Sequence, residues 1–275
     1  MNPNDTPSNK GILYAEAGLQ RFTLKRIEPS ADLEPFIENY WVVRWDLRDQ
    51  ESFSQTILSY PNVNLSFEQE NGKRFSGVYG VPQTTYTRNL HGEGRVLGIK
   101  FKPGGFYPFW QQPISLLTGR ILNFEGAFGM SAQPLEHMMF AQDDDHRMAD
   151  IAEGFLLERL PETDHNVKLI CQMTEATVTQ RNITKVEDLA SLFDMNKRTL
   201  QRLFSRYVGV TPKWVIQRFR LQDAAELMEQ GGLPDWSKLS LDLGYYDQAH
   251  FIKTFKAMIG KSPEQYVKEI GLATS

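Results

Sequence analysis

The pattern of hydrophobic and polar positions divides the chain into two halves. In the first half, short aromatic and β-branched runs alternate with turn residues, which is typical of strands in a barrel or rolled sheet. The predicted strands cover residues 22–27, 40–46, 55–59, 64–70, 75–81, 86–90 and 96–101. A small helix is predicted over 32–39, and two short ones over 113–118 and 124–128. A helix with a clearer apolar stripe is predicted to begin at Asp143-Asp144-Asp145 and to end before Pro161.

In the second half, apolar residues recur every three or four positions, the spacing of a helix with one buried face. Helices are predicted near residues 166–177, 186–193, 197–208, 212–230, 235–243, 248–259 and 263–270. The fourth is the longest, and Gly231-Gly232 is expected to end it. Its apolar positions, which would let it pack against helices on both sides, are Val215, Phe219, Ala224, Leu227 and Met228.

The predicted helices contain one unit written twice, 51 positions apart. Polar caps Asn196 and Asp247 correspond, and so do the pairs Leu200/Phe251, Phe204/Phe255, Gly209/Gly260 and Pro212/Pro263. Asn or Asp caps a helix start, Gly suits the left-handed residue after a helix end, and Pro suits the first position of the next helix. Two such units are two helix-turn-helix modules, whose usual ligand is double-stranded DNA.

A chain of 275 residues is long for a single core. We therefore expect an α+β protein with two domains. The N-terminal one, over 21–163, is β-rich and barrel-like with flanking helices, and follows a flexible lead-in over 1–20. The C-terminal one, over 164–271, is all-α, with modules at about 184–209 and 234–260.

Net charge is −4, which by itself argues weakly against binding to nucleic acid. From Asn182 onward, however, the chain carries 13 Lys and Arg against 11 Asp and Glu, so the basic excess lies with the repeated unit. The single cysteine and the polar N-terminus, without a signal peptide, predict a cytoplasmic protein. No apolar run reaches the roughly 18 residues that span a membrane.

Helix 197–208 carries polar side chains suited to DNA. Leu200, Leu203, Phe204 and Tyr207 share its apolar face. The side chains expected to face outward are Lys197, Arg198, Gln201, Arg202 and Ser205. Arg can donate two hydrogen bonds to guanine and Gln can pair with adenine, and the first half of such a helix enters the major groove. A solvated surface would have a similar composition, but the repeat favours DNA.

Helix 248–259 is its counterpart in the second module. The side chains expected to face outward are Gln248, Ala249, Ile252, Lys253 and Lys256. An outward Ile suits a thymine methyl, and it would equally pack on a neighbouring loop. A structural role is favoured for His250, a base contact for Lys253 and a phosphate contact for Lys256. On one rigid connector, both helices would enter successive major grooves about 34 Å apart.

These residues are similar to the AraC/XylS family of bacterial transcription regulators over about residues 165–270. The resemblance is carried by KRTLQRLF at 197–204, LGYYDQAHF at 243–251 and GKSPEQY at 260–266. It implies a homodimer on direct-repeat DNA half-sites, with RNA polymerase as a further candidate partner. The positions that it implies contact bases are Arg198, Gln201, Arg202, Gln248, Ala249 and Lys253. Ala249 and Ile252 offer fewer hydrogen bonds than many relatives, so less base discrimination is expected from the second module.

The first half resembles the N-terminal domain of one AraC-type subgroup. The matching runs are YWVVRWDL at 40–47, PNVNLSFE at 61–68, YGVP at 79–82 and GIKFKPGGF at 98–106. The resemblance implies a sensory or oligomerising domain, and analogy with other family members suggests a cupin-like or related β-barrel.

For a sensory domain, Trp41, Trp45, Phe106 and Trp110 could line an apolar pocket, and Arg44 or Lys100 could address a carboxylate of a small-molecule effector. Most aromatic residues in strands, however, simply form core. A domain that dimerises and binds no ligand is therefore the alternative.

Catalysis is not expected. His91, His137 and His146 lack the spacing that gathers a metal, and no nucleophile elbow, P-loop or dinucleotide motif occurs. We accordingly predict no enzyme activity, no metal and no cofactor.

Overall fold

The computed structural model describes residues 20–229 and 235–273. Residues 1–19 of the predicted lead-in lie outside the described part of the chain. So does Gly231-Gly232, which was expected to end the fourth helix of the second half.

The first half forms an antiparallel sheet of six strands and a separate two-stranded ribbon. The strands are β1 (Thr23–Ile27), β2 (Ile37–Leu47), β3 (Phe53–Ile57), β4 (Asn64–Glu70), β5 (Lys73–Tyr79), β6 (Tyr86–Leu90), β7 (Gly92–Phe101) and β8 (Ile121–Asn123). The sheet order is β1-β2-β7-β4-β5-β8, and β3 pairs with β6. Because β1 and β8 lie at its two edges, the sheet is open, and the expected barrel closure is wrong.

Residues 32–39 were predicted as a small helix, and this prediction is also wrong. A turn precedes β2, which already begins at Ile37. Ile37 pairs with Phe101 of β7, and both side chains are buried. The pairing across more than 60 positions of sequence outweighs the local helical pattern, as tertiary context commonly does. The three-residue β8 carried too little pattern to be predicted.

The two faces of the sheet are covered differently. On one face, apolar residues such as Tyr40, Val42 and Phe101 join a core formed with the helices that follow β7. On the other face, Trp45 and Leu47 pack with residues of the β3–β6 ribbon.

The remaining regular elements of the described residues are mostly helices. They are α1 (Tyr107–Trp110), α2 (Phe124–Phe128), α3 (Gln133–Phe140), α4 (Asp145–Leu157), α5 (His165–Thr179), α6 (Val186–Leu192), α7 (Lys197–Tyr207), α8 (Pro212–Glu229), α9 (Trp236–Asp242), α10 (Gln248–Ile259) and α11 (Pro263–Ala273). The short α1 and α3 were not predicted, because one or two turns do not establish a period. Residues 113–118 contain only a 3₁₀ turn, and Leu160, expected on the stripe of α4, lies beyond its end and is exposed.

Helix α8 packs against two cores. Val215, Ile216 and Phe219 belong to a large core that also contains the sheet and the first module. Leu221 and Ala224 belong to a second core, formed with α9, α10 and α11. The predicted packing on both sides is confirmed, except at Leu227, which is 39% exposed.

Direct contacts join the sheet domain to the first module. The Tyr107 and Tyr207 rings lie 4.2 Å apart, and the Arg206 Nε donates to the Tyr107 hydroxyl at 2.6 Å. The Thr118 hydroxyl donates to the Gly209 carbonyl oxygen at 2.6 Å. The large core therefore contains residues from both sides of the domain boundary that the sequence predicts at residue 164.

The segment after β5 approaches the 3₁₀ turn closely, and a substitution at Gly80 can test this approach. A Cβ atom there would lie 1.9 Å from the Leu117 carbonyl oxygen, so Gly80→Ala requires the backbone to shift. We expect a loss of about 1–3 kcal/mol in the free energy of unfolding, measured by urea denaturation.

Gly154→Ala is the matched control, because Gly154 lies in α4 and a Cβ there meets nothing within 4 Å. This substitution should stabilise the protein by up to about 1 kcal/mol. Equal unfolding free energies for Gly80→Ala and the wild type would contradict the close approach.

Candidate nucleic-acid interface

The repeated unit of the sequence is a repeated unit of structure. Helices α6 and α7 and the start of α8 correspond to α9, α10 and the start of α11. The Asn196 side chain accepts from the Thr199 amide at 2.8 Å, and the Asp247 side chain accepts from the His250 amide at 2.7 Å. Gly209 and Gly260 follow α7 and α10 with φ of 93° and 88°, as their left-handed role requires.

The turns inside the two modules differ by one residue. Both first helices end with the same hydrogen bond, from the Met195 amide to the Ala190 carbonyl and from the Tyr245 amide to the Ser240 carbonyl, each at 2.9 Å. These pairs are 50 positions apart, whereas the caps are 51 apart. The extra residue is Tyr246, whose side chain is 87% exposed. This insertion was not predicted, although the change of period is visible in the sequence.

The structure separates the two faces of α7 as expected. Leu200, Phe204 and Tyr207 are buried, and Leu203 is half-buried against the large core. The opposite face is exposed along its length, and it consists of Lys197, Arg198, Gln201, Arg202 and Ser205. Side-chain nitrogen atoms of two arginines and one lysine, together with one amide, are therefore available to a ligand along one side of a single helix.

Lys197 is already paired within the module. Its Nζ contacts a carboxylate oxygen of Glu187 on α6, and this hydrogen bond lowers the pKa of Glu187. Because both side chains are more than half exposed, the pair is weak and a phosphate group could replace the carboxylate. Lys197 is thus less available than Arg198 and Arg202, which have no such partner among the described residues.

The outward face of α10 is smaller than predicted. Ala249, Lys253 and Lys256 are exposed, but Gln248 and Ile252 are half-buried, so their expected outward positions are wrong in part. The Gln248 side-chain oxygen accepts from the Ser237 hydroxyl of α9 at 3.1 Å. Ile252 packs against the second core, which favours packing over an outward position for this side chain.

His250 lies next to the aromatic core of the second module. Its ring is half-buried, and its centroid is 5.2 Å from that of Tyr245 in an edge-on arrangement. This contact supports the structural role expected for the histidine. Phe251, Phe255 and Ile259 are buried as predicted.

The six candidate effector residues are not brought together. Trp41 lies against Gly98 and donates from Nε1 to the Asn64 side-chain oxygen at 3.4 Å, and Trp45 donates to the His91 carbonyl at 3.2 Å. Both tryptophans pack on the face of the sheet that the β3–β6 ribbon covers.

The other four lie elsewhere. Phe106 is buried in the large core with Trp110 stacked beside it, ring centroids 6.2 Å apart. Arg44 forms an ion pair with Asp145 at 2.7 Å on that same side of the sheet. Lys100 pairs with Glu38, also at 2.7 Å. Both cations are therefore engaged by carboxylates of the chain, and the expected single pocket is not formed.

A different cavity, of about 440 Å³, opens beside β4, β5 and β6. Arg88 lies in it between the carboxylates of Glu68 and Glu70, at 2.8 and 3.2 Å. The Tyr79 hydroxyl donates to Glu68 at 2.5 Å, and burial together with that carboxylate raises the pKa of Tyr79 above its ordinary range. None of these four residues was predicted from the sequence, because they are contributed by three separate strands.

Among the described residues, no group of three His, Cys, Asp or Glu side chains could hold a metal ion. Nor is any described helix both long and apolar enough to cross a membrane.

Two domain families match the chain. Residues 189–269 match the family described as a helix-turn-helix domain. Residues 25–123 match a domain of unknown function, DUF6597.

Curated relatives are similar over part of the chain. An uncharacterized HTH-type transcriptional regulator of Haemophilus influenzae is 35% identical over 92 residues, which are 34% of this chain and 30% of that protein. The HTH-type transcriptional regulator MtrA of Neisseria gonorrhoeae is 30% identical over 131 residues, 47% of this chain and 40% of its own. The chain thus spans between about a third and two fifths of these relatives.

Among solved structures, ToxT from Vibrio cholerae aligns over 90% of this chain and 98% of its own, with 11% identity and a TM-score of 0.38.

Proposed function

The chain carries an AraC-type helix-turn-helix domain behind a DUF6597 domain, and from this premise we propose that it is a sequence-specific DNA-binding transcription regulator. In this proposal α7 and α10 enter successive major grooves of one duplex. The observation that carries it is the exposed polar face of α7, held in place by a capped helix start and a buried opposite face. The chain binds DNA as a homodimer on direct repeats, and RNA polymerase is a further partner.

The two recognition helices contribute unequally. Arg198, Gln201 and Arg202 are exposed near the start of α7 and can form paired hydrogen bonds with bases. In α10 the exposed side chains are Ala249, Lys253 and Lys256. We assign base discrimination mainly to the first module, with Ser205 at its edge, and charge neutralisation mainly to the second, where Lys256 contacts phosphate.

The sheet domain controls DNA binding by taking up a small-molecule effector. What supports this is the cavity beside Arg88 and the set of contacts from Tyr107 and Thr118 to the first module. Because the six residues predicted from the sequence are dispersed, this cavity replaces them as the candidate within the sheet domain. The alternative remains a domain that only dimerises, for which the unpaired edges of β1 and β8 provide surfaces.

Arg202 provides the test of base recognition. With the preferred DNA site first selected from a random library, Arg202→Ala should weaken binding to that site by about 1–3 kcal/mol and relax one base position. Binding to random DNA should change little. Arg147→Ala, which removes an exposed charge from α4, is the matched control. Equal losses on selected and random DNA would instead identify Arg202 as a phosphate contact.

Lys256 provides the test of phosphate contact. Lys256→Ala should lower affinity for all sequences alike and reduce the slope of log K against log salt by about one unit. Lys25→Ala removes an exposed charge from β1 and should leave the slope unchanged. A wild-type slope for Lys256→Ala would place Lys256 outside the interface.

An effector and a dimeriser make different predictions for ligand screening. If the cavity beside Arg88 binds an effector, a metabolite panel should contain compounds that raise the melting temperature, and Arg88→Ala should abolish that rise. The free energy gained grows with ligand concentration as RT ln(1 + [L]/Kd). A stable dimer by light scattering, with no compound that stabilises it, would favour the alternative.

A further inference from the structure

The helix that connects the two modules buries an arginine without a counter-ion. Arg218 of α8 has 0% exposure, and its Nε donates to the Ser59 carbonyl oxygen at 2.5 Å. Its Nη1 and Nη2 atoms have no hydrogen-bond partner in the described part of the chain, and no carboxylate there forms an ion pair with it. Arg220, two positions later, differs: it lies 3.2 Å from the Asp223 carboxylate and donates to backbone carbonyls.

Two further polar groups beside Arg218 are also unsatisfied. Trp214 lies one helical turn earlier, on the same side of α8, and its Nε1 is buried without a partner. The Ser59 hydroxyl is buried without one as well. Indole and guanidinium nitrogens can only donate hydrogen bonds. The unpaired nitrogens of Arg218 and Trp214 at this junction between α8 and the sheet domain therefore need acceptors, and the Ser59 hydroxyl, which can donate and accept, has no partner either.

The charge of Arg218 is not neutralised by its surroundings. Burial lowers the pKa of Arg218 to about 10, so the guanidinium stays protonated near neutral pH. The neighbouring ionisable group is Tyr60, whose pKa burial raises to about 12, and a neutral phenol supplies no counter-charge. Lys100, whose Nζ lies 4.4 Å above the Tyr60 ring, adds a second positive charge, although Glu38 pairs with it.

Buried polar groups are almost always hydrogen-bonded, and an unpaired buried charge is costly. We propose that this junction is a binding site for a small anion, a carboxylate or a phosphate, whose oxygens accept hydrogen bonds from Arg218 and Trp214. The planar fork of a guanidinium fits both oxyanions with two parallel bonds. The anion would supply the missing acceptors and the missing charge together.

Entry of an anion requires the connection between β3 and β4 to move. Residues 58–63 have no regular secondary structure, and their contacts with α8 include the Ser59 carbonyl bond and the edge-on packing of Tyr60 on Phe219, ring centroids 5.6 Å apart. An oxyanion that replaces the Ser59 carbonyl would shift this segment. The shift is transmitted to α8, from which both modules extend. Given the proposed function, the site is therefore a second place, besides the cavity at Arg88, where a ligand controls DNA binding.

The test measures anion binding on the full chain without DNA. Melting temperature and tryptophan fluorescence are followed while acetate, butyrate, octanoate or inorganic phosphate replaces sodium chloride at constant ionic strength. We expect the melting temperature to rise to a plateau as a carboxylate or phosphate is added. The probe that gives this plateau shows whether the site binds a carboxylate or a phosphate.

Arg218→Met removes the charge at similar length and should weaken that binding at least about tenfold, since hydrogen bonds to charged groups are lost. In chloride alone, this variant should melt no lower than the wild type, because an uncompensated buried charge is gone. A purely structural Arg218 would give the opposite result, a lower melting temperature in chloride and an unchanged response to anions. Arg147→Met, on exposed α4, controls for general charge effects.

Should Arg218→Met fail to fold, Trp214→Phe removes one donor at similar size and should still reduce the affinity seen in the melting temperature. Equal anion responses in wild type and variant, or none with any of the four probes, overturn the proposal. Neither readout uses DNA, so a failed anion site leaves the DNA-binding proposal intact, and failed DNA selection leaves the anion result interpretable.

Discussion

Burial of α8 between two cores fixes how the rest of the protein is arranged. Val215 and Phe219 pack into the core shared with the sheet, whereas Leu221 and Ala224 pack into that of the second module. Apolar residues are spread around the helix because different sides are covered along its length. At about 1.5 Å per residue, its 18 residues span roughly 27 Å, which sets the scale of the separation between the modules. In the proposed function, any change of packing on α8 therefore alters how both modules meet a duplex.

The first module has a second connection to the sheet domain, at the far end of α7. Arg206 lies in the last turn of α7 and donates to Tyr107 of α1, while Arg198 lies in the first turn of the same helix. A helix transmits a rigid displacement along its length with little loss. Movement of α1, which directly follows the sheet, would therefore displace the exposed arginines. The second module lacks a contact of this kind among the described residues, apart from Leu58 on its core and Thr85 near Gly260.

The parts of the structure that local chemistry determines could be predicted. Helix bounds in the second half follow from caps such as Asn196 and Asp247, whose side chains satisfy the first amides. The open sheet could not be predicted, since closure depends on whether β1 and β8 meet. The dispersed effector residues were in part foreseeable, because alternation along β2 places Trp41 and Arg44 on opposite faces. The half-buried Gln248 was not, since its position depends on Ser237 in another helix.

The unequal roles proposed for the two modules have a physical basis in packing. Ile252 covers part of the second core, so the face of α10 that remains exposed carries Lys253 and Lys256 with a small Ala249 between them and the helix start. Ammonium groups recognise phosphate as point charges, whereas the planar arginines of α7 can distinguish a base edge. The exposed Tyr246, inserted before α10, adds a hydroxyl near the start of that helix. Sequence discrimination by the first module and salt-dependent attachment by the second would then be separable properties of one chain.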